Sequence, residues 1–232
     1  MKNQKVKQIV EQLKSRSNLK AVEGMARYGI VSKKVFGVCT PTLRLMAKEI
    51  GKNHELAIEL WATNIFDARV IAMMVEDPNT ISEKQVNEWV KDFDNWAICD
   101  GCCIHLFRKT PVAWKKAKEW VRRKEEFVRR AGFVMMATLA VHDKKVEDKK
   151  FISLFSSIKR AANDERNGVK KAVNWTLRQI GKRNLALNQQ AISLAGEIKN
   201  MNSAGARWIA SDALRELKSD AVQKRLRRKR DE

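Results

Sequence analysis

The sequence predicts an all-α protein assembled from stacked helix pairs, and three observations predict it. Apolar residues recur at helical spacing between short polar breaks, no stretch alternates like a strand bounded by hairpin turns, and a basic residue followed by a small apolar turn returns at intervals of one helix pair. Three prolines and one tyrosine among 232 residues leave a helix-friendly mixture, and 44% apolar with 32% charged residues excludes a disordered chain. That length suffices for one domain with a sizeable core or a short repeat array.

The clearest element is a helix over Thr42 to Ile50. It follows the break Gly37-Val38-Cys39-Thr40-Pro41, in which Thr40 can cap and Pro41 suits the first turn. The recurrent pattern reads Arg69-Val70-Ile71-Ala72, Arg130-Ala131-Gly132-Phe133, Lys171-Ala172-Val173-Asn174 and Arg207-Trp208-Ile209-Ala210, with a further segment opening at Trp96. These starts lie 27, 34, 41 and 36 residues apart, an irregular spacing that suits HEAT-like paired helices with variable loops. In that register Arg69, Arg130, Lys171 and Arg207 share one side of the array, and Lys170 and Arg178 add charge nearby. Taken singly, each is as readily an ordinary solvated charge; their recurrence is what favours a basic stripe.

The formal charge is +20, from 47 Lys and Arg against 27 Asp and Glu. Self-repulsion of that size points to a polyanionic partner, nucleic acid first. The run Lys224 to Arg230 holds only six of those 47, so residues 1–218 are expected to form a single basic domain and residues 219–232 a flexible basic tail. Cys99 and Cys102 have C-x-x-C spacing, yet no second Cys or His pair completes a zinc set, so reduced cysteines buried on a helix are expected and no metal or cofactor is implied. The opening Met1-Lys2-Asn3-Gln4-Lys5 has no apolar core of a signal peptide and no run is long enough to span a bilayer. The expected setting is a bacterial-type cytosol, at the nucleoid and away from membranes.

Trp96 and Asp100 stand four residues apart, so on a helix an indole and a carboxylate share a face. Spacing alone favours a core tryptophan and an aspartate paired with a neighbouring cation. Against that, a carboxylate aimed at DNA repels phosphates and persists only where the chemistry needs an anion. Trp175 falls in the register of Asp100, and an indole there can stack on sugars or bases and attract a cation. Trp61, Trp89, Trp114, Trp120 and Trp208 are expected to be core.

In order along the chain, the segments Met25-Ala26-Arg27-Tyr28, Gly37-Val38-Cys39-Thr40-Pro41, Trp96-Ala97-Ile98-Cys99-Asp100, Arg129-Arg130-Ala131-Gly132, Lys170 to Arg178 and Ala206 to Arg215 resemble the AlkD-like DNA alkylation repair glycosylases, roughly from Ala21 to Leu217. The resemblance implies a right-handed superhelical array of HEAT-like pairs with a concave basic groove. It implies that Asp100 is the catalytic carboxylate, that Trp96 and Trp175 flank the lesion, that Arg130 anchors a phosphate beside it and that Tyr28 packs near the site. Ala97 departs from the acid common in the family after the tryptophan; one residue from Trp96, it should face away from Asp100.

The implied function is excision of cationic N3- and N7-alkylated purines from duplex DNA by a monomer, without base flipping. Such a base is already a good leaving group, so the enzyme must stabilise positive charge on the sugar rather than supply a general acid. The alternative is a non-catalytic helical-repeat protein that binds nucleic acid or acts as a scaffold.

Overall fold

The protein is described by a computed structural model over residues 4–32 and 34–231, with backbone alone for 229–231. Residues 1–3 of the opening segment and the side chains of Lys229 and Arg230 in the basic run lie outside the described residues. Helices account for all its regular structure: α1 (Gln4–Ser15), α2 (Leu19–Arg27), α3 (Thr40–Ile50), α4 (His54–Ala62), α5 (Phe66–Val75), α6 (Glu83–Trp89), α7 (Trp96–His105), α8 (Ala113–Trp120), α9 (Glu126–His142), α10 (Asp148–Ile152), α11 (Phe155–Ala161), α12 (Asn167–Gly181), α13 (Leu185–Lys199), α14 (Ala204–Leu217) and α15 (Asp220–Asp231). The chain divides into two compact units, residues 1–113 and 114–232.

In the first unit α5 is central and packs against α3, α4 and α7. Its Ala68, Ile71, Ala72, Met73 and Val75 are almost fully buried, so its apolar surface runs round the helix rather than along one stripe. Asp67 at its head is also buried and accepts the backbone N–H of Phe36 at 2.7 Å and of Val38 at 2.8 Å. This carboxylate ties down the segment leading into α3 by satisfying two amides that no helix would bond. The N-cap of α3 is Cys39, not Thr40, which is already helical beside Pro41. Cys39 is exposed, whereas Cys99, Cys102 and Cys103 are buried on α7 as expected; burial pushes the Cys102 thiol up.

Arg69 does not join a basic stripe. It is buried, its guanidinium lies 4.9 Å from the Trp61 ring and bonds Asn64 and Asp92, and Trp61 stacks on Trp89 at 4.1 Å. The side chain is mortar between helices, as a planar donor fork over an indole is well suited to be.

The second unit stacks α9, α12 and α14 in succession, with α11 and α13 behind them. Polar side chains repeat the same joint from one layer to the next. Glu126 at the start of α9 accepts the Gly168 N–H near the start of α12 at 3.1 Å, and Glu165 accepts the Gly205 N–H near the start of α14 at 3.1 Å. Each acid satisfies an otherwise orphan amide at a helix N-terminus, where the dipole also favours an anion. At the opposite end Arg183 donates to the carbonyls of Ala140, Asp143 and Val146. Trp120 is core; Trp114 is half-buried, donating to Asp143, and Trp208 is exposed.

The segment expected to be a flexible tail is helical. Val222 and Leu226, four residues apart on α15, are buried, and Gln223 bonds Asn188 at 3.0 Å and the Leu217 carbonyl at 2.7 Å. The helix is rich in Lys and Arg, yet two apolar anchors at helical spacing seat it. Leu226→Ala should lower stability by roughly 2–5 kcal/mol in urea unfolding. An unchanged midpoint would separate α15 from the cooperative fold.

Candidate active site

A pocket of about 770 Å³ opens in the first unit between α2, α3, α5 and α7. Phe66, Met73 and Ile104 are among its apolar lining, and Trp96, Asp100 and His105 bring the chemistry. Asn95 sets the start of α7, its side chain accepting the N–H groups of Ala97 and Ile98 at 3.0 Å each. From that cap Trp96 is the first helical residue and Asp100 stands one turn on, so both reach the same pocket wall. Asp100 is half-exposed and Trp96 is 39% exposed; neither is an ordinary core residue.

Two contacts fix this wall. Gly101 lets α7 lie close against α5, since a Cβ there would stand 2.7 Å from the Met73 sulfur. The Trp96 indole N–H donates to the Tyr28 carbonyl at 2.9 Å, across 68 residues of chain. Tyr28 therefore meets Trp96 through its backbone carbonyl, and the residue is otherwise 78% exposed. Nothing in the sequence signals that backbone contact. Also unforeseen are the pocket residues Arg16 from the end of α1, Cys39 and His105. Ala97 lines the pocket as well, so it does not turn away from it; on a helix, neighbours on the rim of one broad face can both reach a wide cavity.

The remaining predicted residues belong to the second unit. Trp175 is half-buried on α12. Arg130 is not an exposed phosphate anchor: it is buried, and its guanidinium donates to the Gly168 carbonyl at 2.5 Å. Arg178 bridges to Asp212 at 3.5 Å and to Glu216, which also pairs with Lys182. Burial pushes the Glu216 carboxyl up, but those two cations outweigh it and hold the group below its usual range. Lys171 and Arg207 are exposed, and Lys170 lies 5.6 Å from the exposed ring of Trp208. The heads of α12 and α14 thus bring Lys170 and Trp208 together, near Glu165, whose carboxyl is held below its usual range first by the Ser203 hydroxyl, then by the Gly205 N–H and, more weakly, by Lys170 and Arg207.

The expected common register resolves differently at each helix. Arg69 and Arg207 lie three residues beyond the starts of α5 and α14, Asp100, Arg130 and Lys171 four beyond those of α7, α9 and α12. Asp100 rather than Trp96 therefore occupies the place that is basic elsewhere, and Trp175 lies a further turn along its helix. Among the described residues no group of three His, Cys, Asp or Glu could hold a metal ion, and no helix is long and apolar enough to cross a membrane.

Stacked helix pairs with a carboxylate and an anchored indole in an apolar pocket define a HEAT-like repeat protein with a candidate active site on one repeat. A family model described as DNA alkylation repair enzyme matches residues 9–217. The chain belongs to that family. Among solved structures it is similar to a member of a family of proteins related to the HEAT-like repeat DNA glycosylases with affinity for branched DNA structures, with a TM-score of 0.76, 22% identity, and coverage of 90% of this chain and 94% of that one. It is also 22% identical over 152 residues to the uncharacterized protein Lin0241 of Listeria innocua serovar 6a, a match spanning 65% of this chain and 66% of the relative.

Trp96→Phe keeps a ring but removes the donor to Tyr28. Amide exchange should accelerate across residues 19–30 and stay unchanged in α13; equal protection everywhere would show that the bond does not hold α2. Arg130→Ala should lower stability by roughly 1–3 kcal/mol, the cost of a lost buried bond to a charged donor, and leave the salt dependence of DNA binding intact. A shallower salt slope at undiminished stability would restore Arg130 as a phosphate contact.

Proposed function

We propose that the protein is a DNA glycosylase that releases cationic N3- and N7-alkylated purines, such as 3-methyladenine and 7-methylguanine, from duplex DNA. The observation that carries this reading is the placement of Asp100 and Trp96 on one wall of an apolar pocket that remains open to solvent. When the C1′–N9 bond breaks, its electron pair goes to the purine and cancels the charge that alkylation placed there. The deoxyribose becomes an oxocarbenium-like cation, water adds at C1′, and the water's proton leaves to Asp100 or to solvent.

Asp100 stabilises the positive sugar, and the apolar lining strengthens that interaction over its value in water. The Trp96 face adds a cation–π contact worth roughly 0.5–2 kcal/mol, according to how far it is desolvated. In this reading Lys170, Lys171 and Arg207 meet phosphates, and the lesion stays in the stack, because charge on the sugar is stabilised from outside the base pair. The enzyme acts as a monomer.

A second reading is binding of branched DNA without excision, and it is favoured by the affinity ascribed to the structural neighbour. The two readings separate cleanly. Asp100→Asn should abolish release of free 7-methylguanine from methylated duplex DNA while DNA affinity stays equal or rises slightly. Release at the wild-type rate would remove Asp100 from catalysis. No release by the wild type, with tight binding to a four-way junction, would establish the binding protein.

A further inference from the structure

Outside the pocket, the first unit carries a groove of about 280 Å³ lined by Arg44, Ala47, Lys48, Gly51, Lys52 and Met74. Arg44 and Lys48 are one turn apart on α3 and so share a face. Gly51, at φ 73°, ends that helix and turns the chain so that Lys52 continues the same row. Lys52 is anchored by bonds to the carbonyls of Met74 at 2.9 Å and Glu76 at 2.8 Å. Arg44, Lys48 and Lys109 are exposed and make no ion pair among the described residues.

These cations crowd one another and their neighbours. Burial holds the His105 imidazole below its usual pKa, and Arg44, Lys109 and Arg108 push it further the same way. Burial, Arg108 and Lys52 act likewise on Lys109. Like charges four residues apart on a helix destabilise it, so a row of them rimming a groove, with no carboxylate paired to it, points to an anion from outside. His105 belongs both to this cluster and to the pocket of Asp100, which sets the groove beside the candidate active site within the same unit.

We propose that the groove rimmed by Arg44, Lys48 and Lys52, with Lys109 beside it, is a phosphate subsite that holds the backbone of the DNA strand running past the Asp100 pocket. Its ligand is a phosphodiester oxyanion. Met74 and Ala47 form an apolar floor against which a deoxyribose can lie, and the Arg44 guanidinium, the Lys48 ammonium and the carbonyl-anchored Lys52 ammonium supply positive charge that suits a phosphate without reading sequence. The inference rests on the protein being a DNA-binding member of its family, and not on Asp100 being catalytic.

The test uses the full chain carrying Arg44→Gln with Lys48→Gln, and separately Lys109→Gln. Because these side chains are exposed and unpaired, the variants should melt with the wild type. The slope of log K against log salt on duplex DNA should fall by about 0.9 for each phosphate released, so by about 0.9 to 1.8 for the double variant. Lys7→Gln with Lys14→Gln, which removes two exposed charges from α1, serves as the control and should leave the slope in place.

An equal fall in the control would reduce the effect to net charge and overturn the subsite, as would an unchanged slope in the double variant. Titration with inorganic phosphate alone distinguishes the source: saturation below millimolar concentration, lost in the double variant, would make this a free-phosphate site and contradict the backbone assignment. Failure of Asp100→Asn to affect base release would leave these binding results standing.

Discussion

The hydrogen bond from the Trp96 indole to the Tyr28 carbonyl is the constraint on which the site's geometry depends. α2 buries none of its own residues, so apolar packing alone does not hold it over the pocket. Beside the partial packing of the half-buried Ala21, Val22 and Met25, polar ties secure both ends: the Asn18 N–H to the Phe36 carbonyl at 2.8 Å, and the indole bond at the other. The Asp67 carboxylate in turn fixes Phe36 and Val38. A chain of polar ties thus runs from the head of α5 to the wall bearing Asp100, and each link satisfies a backbone group that the helices leave over.

The cations divide into two populations with different physics. Arg69, Arg130, Arg178 and Arg183 are spent on carbonyls, acids and rings between layers of the stack, where a planar fork of donors gains several bonds at once. Arg44, Lys48, Lys109, Lys171 and Arg207 remain exposed. The charge of +20 is therefore a poor measure of the DNA-facing surface. Part of the excess is structural, and what remains is available to a polyanion.

Helix periodicity and the absence of strand patterns made the all-α fold legible, because both derive from a single chain's local pattern. The spacing of Trp96 and Asp100 likewise placed both side chains on one face, and the resemblance of six ordered segments pointed to the family. What the sequence did not disclose were long-range exchanges. Arg69 and Arg130 look like Lys171 and Arg207 in one dimension, yet the first two meet a carbonyl or ring from another helix and are buried. Trp208 reads as core and is exposed, and the basic run after residue 219 conceals Val222 and Leu226, whose partners lie on other helices. Tyr28 is recognisable by its side chain but contributes its carbonyl.

Charge on the nucleotide is the basis of the proposed catalysis, since a carboxylate can stabilise the sugar cation of any nucleotide but only a cationic base departs without a proton donor. The most direct test is the single-turnover rate of base release by the wild-type protein from two duplexes alike except for one base, 7-methylguanine in one and uncharged hypoxanthine in the other. Release of 7-methylguanine alone is expected. Comparable release of hypoxanthine would require a general acid that this site does not provide in the proposed mechanism, and would contradict it.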